Sequence, residues 1–214
     1  SQGSYEIGVD AVSGSLTVTS KDTGSVDILE GIETLSFGDG PLTVSRPSSD
    51  AAFTLTGADG ADDVIEVQSE IGFVAEGLSG ADTLIGGSGD DTLIGGIGDD
   101  VFVVDGGEDV IDGGAGRDAL DFSASITGVQ VDLSTGTLVD GEGFGDHFTS
   151  IEIVTGSDAT DILVGGGGAD TIFGGDGVDR LEGQDGKDLL EGGAGADSLL
   201  GGDGDDTLIG GGGA

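Results

Sequence analysis

Aspartates recur every nine residues in two parts of this sequence, each time after a run of glycines. The repeats occupy residues 77–121 and 156–209, with one outlying copy at 57–65. Aspartate stands at position six of the nine in Asp62, Asp82, Asp91, Asp100, Asp109, Asp118, Asp161, Asp170, Asp179, Asp188, Asp197 and Asp206. Rows of carboxylates beside main-chain carbonyls, in a chain with no cysteine and one histidine, point to a hard cation bound through oxygen. Ca²⁺ fits best, because it accepts six to eight oxygen ligands in loose geometry, whereas Mg²⁺ requires a strict octahedron.

The other residues of each repeat indicate how these carboxylates are positioned. Glycines at positions one, two and four permit positive φ, so six residues can turn tightly with their carbonyls on one side. The last three residues centre on one apolar side chain at position eight, such as Leu93 or Leu181. This suits a very short strand with that side chain turned inward. Two repeats make a coil of about 18 residues, and stacked coils pair their strands in parallel. We therefore predict an all-β fold, a parallel β-roll in two arrays, each preceded by a small β cap segment.

The coil length sets which aspartates should share a cation. Turns on one side of the roll belong to repeats n and n+2, so ligands should pair at intervals of about 18 residues. The expected pairs are Asp82 with Asp100, Asp91 with Asp109, Asp100 with Asp118, Asp161 with Asp179, Asp170 with Asp188, Asp179 with Asp197, and Asp188 with Asp206. This pairing predicts about seven calcium sites.

The sequence outside the arrays also repeats, which divides the chain into segments. Residues 9–16 match 131–138, and 32–35 match 151–154, each upstream of an array. The predicted segments are an N-terminal β cap segment at 1–53, a first array at 54–121, an inter-array β segment at 122–155 and a second array at 156–214.

Smaller features of these segments carry their own predictions. Alternating apolar residues predict strands around 16–18 and 35–37, residues 38–41 predict a turn, and 46–49 a short linker. The nine residues 66–74 have lost the aspartate and most glycines, and two extra residues follow them. We expect a break in the array there.

Composition excludes several classes of function. The 214 residues carry a formal charge of −38, which makes nucleic acid and anionic membranes poor partners and causes self-repulsion unless cations bind. No apolar run approaches the length of a membrane span, and the absence of cysteine excludes disulfide scaffolds, zinc ribbons and thiol catalysis. Acidic residues at positions five and seven, such as Asp63, Asp90, Asp99 and Asp205, are expected to add charge and solubility without binding metal.

Repeats of the form G-G-x-G-x-D-x-U-x, where U is apolar, are seen cleanly at 86–94 and 201–209. They resemble the haemolysin-type (RTX) calcium-binding nonapeptide of bacterial proteins exported by type I secretion. The resemblance implies Ca²⁺ between successive turns of a β-roll, held by the position-six aspartates and by loop carbonyls that include those of the glycines. The implied ligands are Asp82, Asp91, Asp100, Asp109, Asp118, Asp161, Asp170, Asp179, Asp188, Asp197 and Asp206 with Gly87, Gly89, Gly96, Gly98, Gly114, Gly116, Gly166, Gly168, Gly175, Gly177, Gly186, Gly193, Gly195, Gly202 and Gly204.

The chain departs from the family pattern at a few positions. It contains no asparagine, although asparagine is common at position five of such repeats. Ala159 replaces the position-four glycine of the first repeat in the second array, and Val104-Asp105 replaces the opening glycine pair of another repeat. These departures weaken the prediction of sites at the turns concerned.

The resemblance also implies a function, because family members are typically secreted, unfolded in the calcium-poor cytosol and folded outside. We expect a non-catalytic calcium-binding module, extracellular or at the cell surface, that is disordered without calcium and supports the export and stability of a larger protein. The secretion signal expected at the end of such proteins should lie outside this chain.

Two other functions remain open at this point. One is a calcium-dependent adhesin or polysaccharide-binding module acting on extracellular polysaccharide or a cell surface; the other is an accessory C-terminal part of a protease, lipase or alginate epimerase. His147 has no partner in the sequence that would make it a catalytic base. Aromatic residues are expected in the core or caps rather than in a sugar-stacking platform: Phe102, Phe122, Phe144, Phe148 and Phe173.

Overall fold

The computed structural model describes residues 5–9, 16–20, 26–29, 34–37, 40–45, 53–57, 60, 63–68, 72–104, 106–139 and 145–213. The chain forms two compact units, Ser1–Gly116 and Arg117–Ala214. The predicted linker at 46–49, the first half of the predicted turn at 38–41, Asp62, Asp105 and Phe144 lie outside the described residues. The predicted boundaries of the four sequence segments stay predictions.

The described part of the first unit is built from short strands. In chain order they are β1 Tyr5–Val9, β2 Leu16–Ser20, β3 Val26–Leu29, β4 Thr34–Phe37, β5 Gly40–Ser45, β6 Phe53–Thr56, β7 Val64–Gln68, β8 Phe73–Ser79, β9 Thr83–Ile85, β10 Thr92–Ile97, β11 Val101–Val103 and β12 Val110–Ala115. The strands predicted around 16–18 and 35–37 are thus confirmed as β2 and β4.

The strands of this unit form two layers with a common plan. One has the order β11-β9-β7-β1-β2-β3 and the other β12-β10-β8-β6-β5-β4. Strands β1 to β3 and β4 to β6 pair antiparallel, whereas β6 to β12 pair in parallel with the strand one coil away. The antiparallel strands therefore stand where the sequence predicted a β cap, and the parallel strands form the roll.

The coil continues through the predicted break in the first array. Strand β8 pairs with β10 one regular coil later, Thr92 lying opposite Val74. Its partner on the other side is β6, where Phe53 lies opposite Phe73, so the coil between β6 and β8 is longer than the regular one. The two residues counted as extra after 66–74, Ala75 and Glu76, lie in β8 opposite Leu93 and Ile94, so the added length of this coil lies before Phe73. The stack of coils is not interrupted, although the repeat motif is lost there.

The described part of the second unit has the same construction. Its strands are β13 Ala119–Asp121, β14 Gln130–Asp132, β15 Thr137–Val139, β16 Gly145–Thr149, β17 Ile153–Thr155, β18 Ile162–Val164, β19 Thr171–Gly177, β20 Arg180–Gly186, β21 Leu189–Gly195, β22 Ser198–Gly204 and β23 Thr207–Ile209. The orders are β23-β21-β19-β17-β13, all parallel, and β22-β20-β18-β14-β15-β16, in which only β14 to β16 are antiparallel.

The core is a ladder of position-eight side chains, one for each repeat. Those of the complete coils are at most 1% exposed: Leu84, Leu93, Phe102, Ile111, Leu120, Leu163, Ile172, Leu181 and Leu190. Leu208 lies in β23, the edge strand of the described sheet, and is 45% exposed. One apolar residue in nine gives a thin core, so the hydrophobic ladder carries only part of the stability that coils of this size need.

The prediction of an all-β parallel β-roll is confirmed. Neighbouring coils share parallel strand pairs in register, and the described residues contain no helix. None of them forms an apolar helix of the length needed to cross a membrane.

Candidate metal sites

The position-six aspartates form columns that run from coil to coil. In each column the main-chain N–H of one aspartate donates to Oδ1 of the aspartate 18 residues later. The pairs joined in this way, with N to Oδ1 distances, are Asp82–Asp100 (2.8 Å), Asp91–Asp109 (2.8 Å), Asp161–Asp179 (2.9 Å), Asp170–Asp188 (3.0 Å), Asp179–Asp197 (3.1 Å) and Asp188–Asp206 (3.0 Å). The structure thus brings together six of the predicted pairs. The seventh, Asp100 with Asp118, has its two members in different units and stays a prediction.

These carboxylates are buried. Nine of the eleven predicted aspartates are at most 3% exposed, and the two exceptions, Asp197 and Asp206, belong to the last coil. An ionised carboxylate that leaves water loses several kcal/mol of solvation unless a counter-charge or hydrogen bonds replace it. Stacking such groups from one coil to the next adds repulsion between like charges, so the columns require a cation or protons.

The second carboxylate oxygen marks where that cation would be needed. In Asp179, Asp188 and Asp197, Oδ1 accepts the N–H described above, but Oδ2 is buried without a hydrogen-bond partner. Buried polar atoms in native proteins almost always have a partner. An ionised carboxylate only accepts, so the partner that is absent must be positive or must carry a proton.

Main-chain carbonyls meet the same oxygens at the position-one glycines. A Cβ built on Gly174 would lie 2.7 Å from Oδ2 of Asp179 and 2.5 Å from the carbonyl oxygen of Gly192. On Gly192 it would lie 2.6 Å from Oδ2 of Asp197 and 2.9 Å from the carbonyl oxygen of Gly210. Only glycine leaves room for this convergence of oxygens, which explains why position one is so often glycine.

Most of the predicted glycines adopt the turn conformation that aims their carbonyls at the next coil. Eleven of the fifteen have positive φ: Gly87, Gly96, Gly98, Gly114, Gly116, Gly175, Gly177, Gly186, Gly193, Gly202 and Gly204. Gly89, Gly166, Gly168 and Gly195 do not. Leu78 and Gln184 occupy position two with φ of 76° and 75°, so the coil imposes this conformation even on residues that rarely adopt it.

The donor set is the one that Ca²⁺ prefers. Within the described ranges no three acidic or histidine side chains converge to hold a metal. A cation between coils would therefore take its remaining ligands from main-chain carbonyls. Carboxylate pairs supplemented by carbonyl oxygens suit a hard ion with flexible coordination, so the residues present fit calcium.

Burial changes the acidity of these groups. It raises the pKa of Asp179 to about 6; the N–H of Asp161 opposes this effect, and the charges of Asp161 and Asp197 add to it. The pKa is raised, with burial as the main cause, in other aspartates of the columns: Asp100, Asp161, Asp170 and Asp188. Without a cation, the folded columns therefore bind protons more tightly than an unfolded chain does.

This shift predicts an unusual pH dependence. A carboxyl whose pKa is higher in the folded than in the unfolded chain stabilises the fold when protonated, and this contribution is lost as the pH rises through about 6. Calcium-stripped protein should therefore become more stable as the pH falls from about 7 to about 4.5. Far-UV circular dichroism of the stripped protein at several pH values measures this trend as an increase in the β signal.

Two comparisons test the origin of the pH effect. Asp179→Asn should reduce the gain in stability, whereas Asp176→Asn, at an exposed position of the same turn, should leave it unchanged. With calcium bound the trend should reverse, because protons compete with the ion for the same oxygens. A stripped protein whose β signal falls steadily as the pH is lowered from 7 to 4.5 would contradict the prediction.

Two acidic members of the columns were missed by sequence reasoning. Asp63, expected only to add charge, donates its main-chain N–H to Oδ1 of Asp82 at 2.7 Å, so it takes the place in the column that the sequence assigned to Asp62. Glu152 lies one coil before Asp170, and its Oε2 accepts the main-chain N–H of Asp118 at 3.0 Å, as an aspartate does elsewhere. Strand β17, which follows it, lies in register with β19, Ile153 opposite Thr171. Counting back by one coil from Asp170 would have found Glu152, whose strand sequence gives no glycine signal.

The other residues to which the sequence gave a role differ in their exposure. Asp90, Asp99 and Asp205 are exposed. Phe102, Phe122 and Phe148 are at most 4% exposed and belong to the core, and Phe173 is half-buried. The three buried phenylalanines are therefore not available as a platform for sugar rings.

Comparison with known families supports this assignment. The sequence matches the profile of the RTX calcium-binding nonapeptide repeat in four copies, at residues 76–111, 94–124, 155–190 and 182–214. Together the matches cover 76–124 and 155–214, about half of the chain. A search of curated proteins found no match. The repeats that the sequence singled out, the β-roll and the columns of buried carboxylates agree with this match: the chain belongs to the RTX calcium-binding nonapeptide repeat family.

Proposed function

We propose that this chain is the calcium-binding module of a secreted bacterial protein, and that its arrays fold when they meet calcium outside the cell. The module supports export and stabilises the larger protein to which it belongs. It acts by binding about seven ions between its coils, following the aspartate pairs. It carries no catalytic step of its own, since equivalent carboxylates stand on every coil, whereas a catalytic pair is normally a single constellation.

The observation that carries the proposal is the buried Oδ2 atom without a hydrogen-bond partner in Asp179, Asp188 and Asp197. A stack of such atoms is stable only when positive charge lies among them. A net charge of −38 adds repulsion over the whole chain, and each bound Ca²⁺ offsets two of these charges.

The energetics support calcium as a folding switch. Extracellular modules bind calcium with dissociation constants of about 10⁻⁴ to 10⁻³ M, so such sites are empty in the cytosol and filled outside. A site at ten times its dissociation constant adds about 1.4 kcal/mol of stability. Several sites in one roll can therefore decide whether a thin core stays folded.

The test is a calcium titration of stripped protein, followed by far-UV circular dichroism and analytical ultracentrifugation, with Mg²⁺ in a parallel titration. Calcium should cause a cooperative gain of β signal together with compaction, and Mg²⁺ should not, because it keeps its waters. A compact β spectrum in chelator, unchanged by calcium, would contradict the folding switch.

A pair of variants ties the effect to the aspartate columns. Asp188→Asn removes a buried charge at position six, and Asp185→Asn removes an exposed charge in the same turn. Asp188→Asn should cost about 1.4 kcal/mol or more in saturating calcium, the contribution of one site. In chelator it should instead be neutral or stabilising, because an unpaired buried charge is gone. If Asp188→Asn and Asp185→Asn change the stability in calcium by the same amount, the ions do not bind at the aspartate columns.

A further inference from the structure

The first coil of the second array, residues 156–173, holds its aspartates differently from the coils that follow. Both oxygens of Asp161 accept hydrogen bonds from the protein. Oδ1 accepts from the N–H of Val129 at 2.7 Å and from Oγ of Ser157 at 2.9 Å. Oδ2 accepts from the N–H of Ser157 at 2.8 Å and from its Oγ at 3.2 Å. Both oxygens of this carboxylate therefore have donors from the protein, which offset part of the cost of its burial without a cation.

The other aspartate of the first coil, Asp170, also accepts a hydrogen bond from within its own repeat. Oδ2 of Asp170 accepts the N–H of Gly166 at 2.6 Å, from within the same repeat. Neither Asp161 nor Asp170 has a buried oxygen that lacks a hydrogen-bond partner, in contrast to Asp179 and Asp188 in the next coil.

The first coil differs from the later coils in the backbone conformation at position two of the repeat, and this causes the difference in hydrogen bonding. Ser157 and Gly166 occupy that position without positive φ, and each turns its N–H towards the carboxylate of its own repeat. In the later coils, residues 174–209, position two has positive φ: Gly175, Gln184, Gly193 and Gly202. No N–H from these residues to the aspartate of the same repeat is found there. The departure that the sequence shows at Ala159 thus belongs to a different turn.

The first coil also packs against more apolar surface than the later coils. The segment before it contributes side chains that are at most 4% exposed, namely Phe122, Val129, Val131, Leu138 and Phe148. Strands β17 and β14 of that segment pair in parallel with β19 and β18 of the first coil. Burial of each such side chain stabilises the coil through the hydrophobic effect, and the later coils have only one such side chain in each repeat.

We propose that the first coil is folded without calcium and serves as the platform on which calcium adds the later coils, in order from residue 174 towards the C-terminus. N–H and hydroxyl donors take the place of the cation at Asp161 and Asp170. This inference rests on the proposed calcium-driven folding and specifies where in the second array that dependence begins.

The test is residue-resolved amide hydrogen exchange on the whole chain, in chelator and in saturating calcium. In chelator the amides of Val129, Ser157 and Gly166 should exchange at least about a hundredfold more slowly than those of Asp179 and Asp188. In calcium both sets should be protected. During a calcium titration, protection of Asp179 and Asp188 should rise while that of the first set stays constant.

The outcomes separate the two proposals. If all five amides are unprotected in chelator and gain protection at the same calcium concentration, the first coil is an ordinary member of the array and the inference is overturned. If Asp179 and Asp188 are already protected in chelator, the calcium-driven folding fails, and the distinction between coils fails with it.

A variant tests whether the Ser157 hydroxyl takes the place of the cation at Asp161. Ser157→Ala removes the hydroxyl donor from Asp161 and should speed exchange of the first coil in chelator about tenfold or more, because hydrogen bonds to charged groups are strong. Ser198→Ala removes an exposed hydroxyl from β22 and should leave the exchange of the first coil unchanged. Equal exchange in both variants would show that the Ser157 hydroxyl does not hold the coil.

Discussion

Gly186→Ala is expected to destabilise the second array by about 2–4 kcal/mol, because two costs combine at this residue. Gly186 has φ of 149°, a conformation that residues with a Cβ rarely adopt. A Cβ at this position would overlap the carbonyl oxygen of Gly168 in the preceding coil and would lie 2.8 Å from Oδ1 of Asp188. The turn would have to open, and the carbonyls and the carboxylate would move apart.

The measurement is denaturant unfolding in saturating calcium, combined with the calcium concentration at half-folding. A loss of about 2–4 kcal/mol exceeds the contribution of about 1.4 kcal/mol from one site at ten times its dissociation constant. Gly186→Ala should therefore raise the calcium concentration needed for folding.

Gly167→Ala is the matched control. Gly167 stands at position three, its φ is not in the positive region, and no heavy atom lies within 4 Å of a Cβ built on it. Its substitution should change stability by no more than about 0.5 kcal/mol. If both variants unfold at the same denaturant concentration, the close approach of the coils at Gly186 does not limit stability.

Leu190→Ala is expected to cost about 2–5 kcal/mol, the usual range for truncating a buried leucine. Leu190 is 0% exposed and stands in the apolar ladder between Ile172 and Leu208. Because each repeat contributes one such side chain, no neighbouring residue of the same repeat can fill the cavity.

Its control is the adjacent residue of the same type. Leu189 begins the same strand, faces away from the core and is half-buried. Leu189→Ala should therefore cost about 1 kcal/mol or less. Thermal unfolding of both variants in calcium gives the comparison, and a larger loss for Leu189→Ala would mean that the orientation of β21 has been misassigned.

The sequence was sufficient to predict the features that depend on the repeat. The period of nine predicts that two repeats form one coil. In such a coil the position-six aspartates lie in columns and the position-eight side chains point inward. The pairing of Asp179 with Asp197, and the complete burial of Leu163 and Leu181, follow from that geometry alone.

The features that the sequence could not predict lie where the repeat ends and packing takes over. Glu152 continues a column from a stretch without glycines, residues 146–155. The coil between β6 and β8 is longer than the others, although its strands still pair in register. The hydrogen bonds from the N–H groups of Ser157 and Gly166 depend on φ at position two of the repeat. The residue type at that position does not determine φ, so the sequence could not predict them.

The offset of 18 residues between paired aspartates has a mechanical consequence. One coil raises the roll by about 4.8 Å, the spacing of neighbouring strands, but a coil of about 18 residues pulled straight spans roughly 60 Å. A coil that opens under tension therefore lengthens the chain more than tenfold. External calcium would thus determine how far the chain extends when it is pulled.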